Sequence, residues 1–342
     1  RLINGKINIG TFATMIGFCN IWLGTICFSV LLQNTDKIKI FLTAIWKINW
    51  IHTILGLIQL IYVNAGVNIT GQIFSDSNRM GPLLTMREIG GFNRIFGATY
   101  SPTILGVYIL IASSFILACI LKTKRNKQCY FLLAHTLFLG LFAFSKTVIV
   151  GIFLIVGFSI ILMFIYKKKY IVMTAVKILG VVLSCFILVI ILCYPTRLKG
   201  QVNYYFGTIL SSPTQALESR YGNTDEETES GGTEKGLVQE ENLKTIDYFY
   251  RHPILGVGMS QVGTEFIGDS QYLAVLHHEG LFGAFVYIAF YGSLFYVSFI
   301  RKKIDIMQLL FSVALCGLAT NVLETNVGIP FLAYCLTVEG SE

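Results

Sequence analysis

Thr147-Val148-Ile149-Val150-Gly151-Ile152-Phe153-Leu154-Ile155-Val156-Gly157-Phe158-Ser159-Ile160-Ile161-Leu162-Met163-Phe164-Ile165-Tyr166, followed at once by Lys167-Lys168-Lys169, decides the fold of this 342-residue chain. About 20 uncharged residues wound as a helix rise ~30 Å, the thickness of a bilayer's hydrocarbon. Nothing in the run alternates every second residue, as the strands of a membrane barrel do. Thr103–Leu121 is a second block of the same kind. Apolar residues make up 54% of the chain and charged residues 13%, about half the charge of a soluble fold. These figures exclude a soluble enzyme, a nucleic-acid-binding protein and an outer-membrane barrel. The chain is expected to be an all-α, polytopic integral membrane protein.

Working outward from that stretch, spanning segments are expected at 11–33, 40–63, 102–121, 128–145, 147–166, 171–194, 280–300 and 305–324. With the shorter apolar stretch Val327–Val338, this makes 8–9 helices in one membrane domain covering 1–342. The short basic loops are Lys37/Lys39, Lys122–Lys127, Lys167–Lys169 and Arg301–Lys303. With these boundaries all of them fall on one side of the membrane, which positive-inside bias makes cytoplasmic. Two stretches then lie outside, 64–101 and 195–279, the latter between helices 6 and 7. The second holds twelve of the nineteen acidic residues, and a loop of that length is usually functional or disordered. Within it, 222–236 is acidic, poor in apolar residues and expected to be mobile. Its flanks carry aromatics at helical spacing, among them Tyr248, Phe249 and Tyr250.

The eight cysteines lie in or beside apolar blocks without CxxC or Cys/His spacing, so they read as buried thiols rather than metal ligands. The chain begins at Arg1 with no Met and no signal-peptide layout, so it reads as shortened at its N-terminus. No internal repeat suggests an inverted-repeat transporter.

Chemistry needs polar groups where apolar ones are the rule. Lys47, His52, His135 and Lys177 sit inside apolar segments, where ionisable groups are costly and often functional. The lysines can instead snorkel to the interface, and His135 can hydrogen-bond a neighbouring helix. Arg79, Arg87, Arg94, Arg197, Arg220 and Arg251 fall on the outer side, which positive-inside bias should deplete. A guanidinium matches phosphate oxygens two at a time; solvated surface arginines or ion pairs with the acidic loop are the ordinary alternative. Arg94 stands apart, being set among the apolar neighbours of Phe92-Asn93-Arg94-Ile95-Phe96-Gly97. A glycine run, Arg251-His252-Pro253-Ile254-Leu255-Gly256-Val257-Gly258, precedes Gly268-Asp269-Ser270-Gln271-Tyr272-Leu273 and Glu279-Gly280-Leu281-Phe282-Gly283. Glycines so spaced let backbone approach backbone or ligand closely. His252, Asp269, His277, His278 and Glu279 can transfer protons, while His277 and His278 read equally as the cap of a helix starting at the interface.

These segments carry a resemblance. His252-Pro253-Ile254-Leu255-Gly256-Val257-Gly258 is similar to the HPxxGxG signature of the O-antigen ligase and polymerase (Wzy-type) superfamily. Asp269–Leu273 and Glu279–Gly283 resemble its next motif, Arg94-Ile95-Phe96-Gly97 with Pro102 resembles its RxxG…P element, and Phe144-Ser145-Lys146-Thr147 resembles a turn where Arg is commoner than Lys146. The resemblance implies a GT-C-like membrane glycosyltransferase of the bacterial cytoplasmic membrane, with its active site on the extracytoplasmic face and neither metal nor cofactor. Undecaprenyl-diphosphate-linked oligosaccharides are the implied partners, with membrane lipids and a chain-length regulator, and no nucleic acid. The expected activity is metal-independent, inverting joining of repeat units into O-antigen, capsule or exopolysaccharide. The catalytic residues implied are Asp269, Arg220 and Arg94, and the substrate-binding ones Arg251, His252, Lys146, Tyr272 and His278. Asp269 stands where the ligase branch has His, which favours a polymerase over a ligase or a protein-glycosylating oligosaccharyltransferase. The rival of another class is a transporter or flippase of lipid-linked glycans, whose polar residues should gather at mid-membrane on broken helices, whereas here they are expected outside.

Overall fold

The computed structural model describes residues 23–33, 36–64, 95, 97–99, 102–122, 127–143, 146–166, 171–193, 249–256, 270–318, 320 and 328–337. These residues form helices and turns, with no strand among them. In chain order the helices are α1 (Leu23–Leu32), α2 (Lys37–Asn64), α3 (Pro102–Lys122), α4 (Lys127–Phe142), α5 (Lys146–Ile165), α6 (Ile171–Cys193), α7 (Gln271–Ile300), α8 (Ile304–Gly317) and α9 (Gly328–Leu336). Pro102 opens α3, where its fixed φ suits a first turn and its missing N–H costs nothing.

Among the described residues, five helices are long and apolar enough to cross a membrane: α2, α3, α5, α6 and α7. The expectation of 8–9 spans is therefore met only in part. The segments expected at 128–145 and 305–324 are helices of 16 and 14 residues, rising only ~24 and ~21 Å. The segment expected at 280–300 begins earlier, at Gln271, and Gly280 is a break within it rather than its start. His277 and His278 accordingly lie inside α7 and do not begin a helix. The closing stretch forms the nine residues of α9.

Two compact units are distinguishable, one comprising Thr35–Ile209 with Lys302–Ser312 and the other Arg1–Asn34, Leu210–Arg301 and Val313–Glu342. In the first, α3 is the central helix: every residue of its most apolar window is buried, packed between α4 and α5, with α6 against α4. Without a hydrophobic drive between helices in lipid, close packing and hydrogen bonds must hold such a bundle. Gly140 and Gly151 permit the close packing, since a Cβ at either would run into Ile109 or Leu110 of α3. The Gln308 amide of α8 donates to the Ile155 carbonyl and the Ser159 hydroxyl of α5 at 3.0 and 2.8 Å, and Ser114 of α3 donates to the Gln308 carbonyl.

One end of this unit is charged. Lys122 Nζ lies 2.7 Å from Asp305 Oδ2, and the Tyr166 hydroxyl donates to Met307 Sδ at 3.6 Å. The ends of α3 and α5 thus meet the start of α8, so the chain next to Lys122–Lys127, Lys167–Lys169 and Lys302–Lys303 shares one end of the bundle. Outward-facing apolar side chains, such as Val172, Val176 and Leu183 of α6, make the surface that lipid would wet. Lys47 and Lys177 point outward with them, as snorkelling requires. Cys119, Cys129, Cys185, Cys316 and Cys335 are buried as expected, but Cys27 is exposed.

Candidate functional site

In the second unit, two of the glycine motifs are one structure. Gly280 takes φ 65° and ψ −159°, a backbone region open essentially to glycine alone. The break removes Leu281 N–H and Phe282 N–H from the helical ladder, and both must find acceptors. They find them in the turn after Arg251: Leu281 N–H donates to the Pro253 carbonyl at 2.8 Å and Phe282 N–H to the Ile254 carbonyl at 3.1 Å. Gly256 closes that turn, donating its N–H to the His252 carbonyl at 3.0 Å with φ +62°. The two glycines face each other. A Cβ at Gly280 would fall 2.5 Å from Gly256 N and from the Ile254 carbonyl oxygen, and one at Gly256 would fall 2.5 Å from the His278 carbonyl carbon. Beside them the Glu279 side chain folds over Gly283, in the first turn after the break, where a carboxylate suits the positive end of the helix dipole.

The third segment is pinned a few residues earlier. Ser270 caps the start of α7 in extended conformation, and its hydroxyl donates to the Gly317 carbonyl at 3.4 Å. The Tyr272 hydroxyl donates to the Ala314 carbonyl at 2.7 Å, and Gln271 is buried against Gly317. Ser270, Gln271 and Tyr272 are thereby fixed on the end of α8. The ring of Tyr272, half-buried, meets that of Tyr287 edge-on at 6.0 Å.

In the first unit, the Ile95–Thr99 stretch is held by a polar stripe on α2. Asn49, His52, Gly56 and Gln59 follow each other at spacings of three and four, so they share one helix face. Asn49 donates to Thr136 Oγ1 at 2.8 Å and accepts from the Tyr108 hydroxyl at 2.9 Å. His52 Nδ1 accepts the Ala98 N–H at 3.0 Å, so its proton is on Nε2. The Gln59 amide pairs with both backbone groups of Gly97, accepting its N–H at 3.0 Å and donating to its carbonyl at 2.9 Å. Ile95 is buried over Gly56. Gly97 stands at φ +57°, and a Cβ there would collide with the His52 ring. His135 hydrogen-bonds Thr53 Oγ1 at 2.8 Å, the neighbouring-helix contact expected of it. Since the Thr53 hydroxyl gives its proton to the Asn49 carbonyl, His135 is the donor, from Nε2.

Of the expected site residues, Arg94, Arg220 and Asp269 lie outside the described residues. Lys146 is the first residue of α5, and its side chain lies outside them too. Arg251 and His252 are exposed on the turn, whereas His278 is buried, as is His277, the two rings edge-to-face at 5.0 Å. Among the described residues no three His, Cys, Asp or Glu side chains form a metal-binding group. Polar groups also lie within the helices: Asn49, His52, Gln59, Tyr108 and Thr136 are buried there; most of the two stretches expected outside, 64–101 and 195–279, lies outside the described residues. Asn49 and Gln59 went unmarked in the sequence because neutral amides do not stand out in an apolar run; their spacing from His52 was the available signal. No family model matches the chain, and no curated protein or solved structure is significantly similar to it.

Proposed function

We propose that this chain is a membrane glycosyltransferase that polymerises lipid-linked oligosaccharide repeat units on the outer face of the bacterial cytoplasmic membrane. The observation that carries the reading is the Gly256–Gly280 interlock. Two stretches that resemble successive signatures of the O-antigen ligase and polymerase superfamily meet backbone to backbone at a break in a membrane-length helix. Residues packed this closely only as glycine are hard to explain by lipid solubility alone.

In this reading a sugar hydroxyl of an incoming lipid-linked unit attacks the anomeric carbon of the growing chain. A new carbon–oxygen bond forms as the bond to the diphosphate oxygen breaks, with inversion, and undecaprenyl diphosphate leaves. Asp269 takes the hydroxyl proton, a role that requires hydrogen-bond reach; its neighbour Ser270 is anchored to Gly317. The largest task is the negative charge building on the leaving diphosphate, and preorganised cations stabilise such charge best. Arg94 and Arg220 take that part, bidentate to phosphate oxygens. Arg251, His252 and Lys146 assist in binding. Tyr272 spends its hydroxyl on Ala314 and offers a sugar its ring, and the His278 backbone lies against Gly256 of the turn. The acceptor is another repeat unit, with lipid A core or protein as the alternative of the same chemistry.

A second reading has one observation in its favour. Transporters build their sites on broken helices near mid-membrane, and α7 is broken at Gly280. The stripe on α2 favours it less, because Asn49, His52 and Gln59 bond to neighbouring helices and backbone. Arg94→Ala and Arg220→Ala separate the two. A polymerase so altered inserts normally and leaves single repeat units on the lipid carrier at the outer face. Normal chain length in both variants contradicts the proposal, and units held at the inner face favour transport.

A further inference from the structure

Gly280 divides α7 into unequal parts. Leu281–Ile300 contains no charged side chain, and as helix it rises ~30 Å, one thickness of hydrocarbon. Arg301 follows at once and is exposed. The part before the break, Gln271–Glu279, carries Gln271, His277, His278 and Glu279 and is bonded through Tyr272 to the end of α8. With Arg301 at one boundary of the hydrocarbon, the break falls at the other.

The turn clamped to that break is apolar on its outside. Ile254 and Leu255 are 67% and 72% exposed, and Tyr250 is exposed with them. Adjacent exposed apolar side chains mark a contact surface. Leu281, Phe282 and Phe285 of α7 are exposed too, and the bonds from Leu281 and Phe282 N–H to the Pro253 and Ile254 carbonyls set the turn beside them. Backbone that approaches lipid has to satisfy its polar groups within the protein. Here Pro253 has no N–H, the carbonyls of Pro253 and Ile254 accept from α7, and the His252 and Gly256 N–H groups donate to the Phe249 and His252 carbonyls. Arg251 and His252, exposed where the turn begins, match the phosphates of a headgroup layer, and tyrosine suits that layer as well.

We propose that the Tyr250–Gly256 turn dips into the edge of the bilayer. Ile254 and Leu255 enter the first part of the acyl chains beside Leu281 and Phe282, while Arg251 and His252 stay among the headgroup phosphates. The partner is the phospholipid leaflet itself. The contact fixes the level of the Gly280 break and leaves Gln271–Glu279 above the hydrocarbon. It holds whichever face of the membrane the turn lies on, and it does not depend on the transferase reading.

The test uses the full chain in nanodiscs of phosphatidylethanolamine and phosphatidylglycerol. In a variant lacking the native cysteines, spin labels are placed singly through Leu255→Cys, Ile288→Cys and Arg301→Cys. Collision with oxygen, which concentrates in hydrocarbon, is compared with collision with a water-soluble nickel chelate. Ile288 is exposed and lies about two turns past the break, so its label marks hydrocarbon; the label at Arg301 marks water. The oxygen-to-nickel ratio at 255 should stand several-fold above that at 301 and below that at 288. Ile254→Cys repeats the measurement should the change at Leu255 disturb the turn. A benzophenone carried by the cysteine at 255 should crosslink to phospholipid. Ratios at 254 and 255 equal to that at 301 would overturn the inference, because the turn would then stand in water. Exclusion of both reagents, with crosslinks to protein, would overturn it as well, because protein would then cover the turn.

Discussion

A methyl group at Gly280 has nowhere to go. It would press on Gly256 N and the Ile254 carbonyl, and the residue would also have to hold φ 65°. Strain of the second kind costs about 1–2 kcal/mol and overpacking about 1–3 kcal/mol. Gly280→Ala and Gly256→Ala should each destabilise the protein by about 2–5 kcal/mol. Gly292 of the same helix has nothing within 4 Å of its Cβ position, so Gly292→Ala should be neutral or stabilising by up to about 1 kcal/mol. Thermal unfolding of the three variants in one detergent checks the contrast; equal losses would show that the interlock adds nothing. This close approach was legible in the sequence, where glycines at 256, 280 and 283 flank polar residues. Which of them face each other was not, because the meeting depends on a helix break that periodicity does not reveal. The grip on Gly97 was hidden for another reason. His52 drew notice as an ionisable group in an apolar run, but a neutral amide such as Gln59 reads like any residue near a helix end until the opposing backbone is known.

At the scale of elements, α3, α5 and α8 meet at a charged end. The Asp305 side chain is 5% exposed and lies 2.7 Å from Lys122 Nζ, itself 29% exposed. Removing the lysine leaves a buried carboxylate, a loss of about 3 kcal/mol or more. Lys122→Met should therefore destabilise more than Lys122→Met combined with Asp305→Asn, which replaces the stranded charge by an amide; a double-mutant cycle in thermal unfolding measures the difference. Strict additivity would mean the pair is uncoupled. This end was legible only indirectly: the basic loops read as lying on one side, and Lys122, at the start of one, pairs with Asp305, just past another. Helix lengths were less legible. Apolar runs at 128–145 and 305–324 look long enough to span, but α4 stops at Phe142 and α8 at Gly317. The Asp269–Leu273 motif falls in the stretch 195–279 expected outside, yet from Gln271 onward it supplies the first turn of α7, because Tyr272 and Ser270 bond to the end of α8.

For the whole molecule, topology is the premise from which function follows. Five membrane-length helices among the described residues, and the Lys122–Asp305 end of the first unit, agree with a membrane-embedded chain. The proposed orientation puts 122–127, 167–169 and 301–303 in the cytosol and 64–101 and 195–279 outside. Single cysteines introduced into a variant lacking the native ones should react with a membrane-impermeant maleimide in intact spheroplasts at 195–279, and only after lysis at 301–303; the reverse pattern would remove the outer-face active site altogether. Orientation alone does not establish catalysis. The most direct measurement takes lipid-linked repeat units accumulated by cells making Arg94→Ala, purifies them, and incubates them with the purified parent protein and a chelator. A ladder of lengthened chains with release of undecaprenyl diphosphate is expected, and no ladder with Arg220→Ala; units that stay single with the parent protein would overturn the proposed polymerase activity.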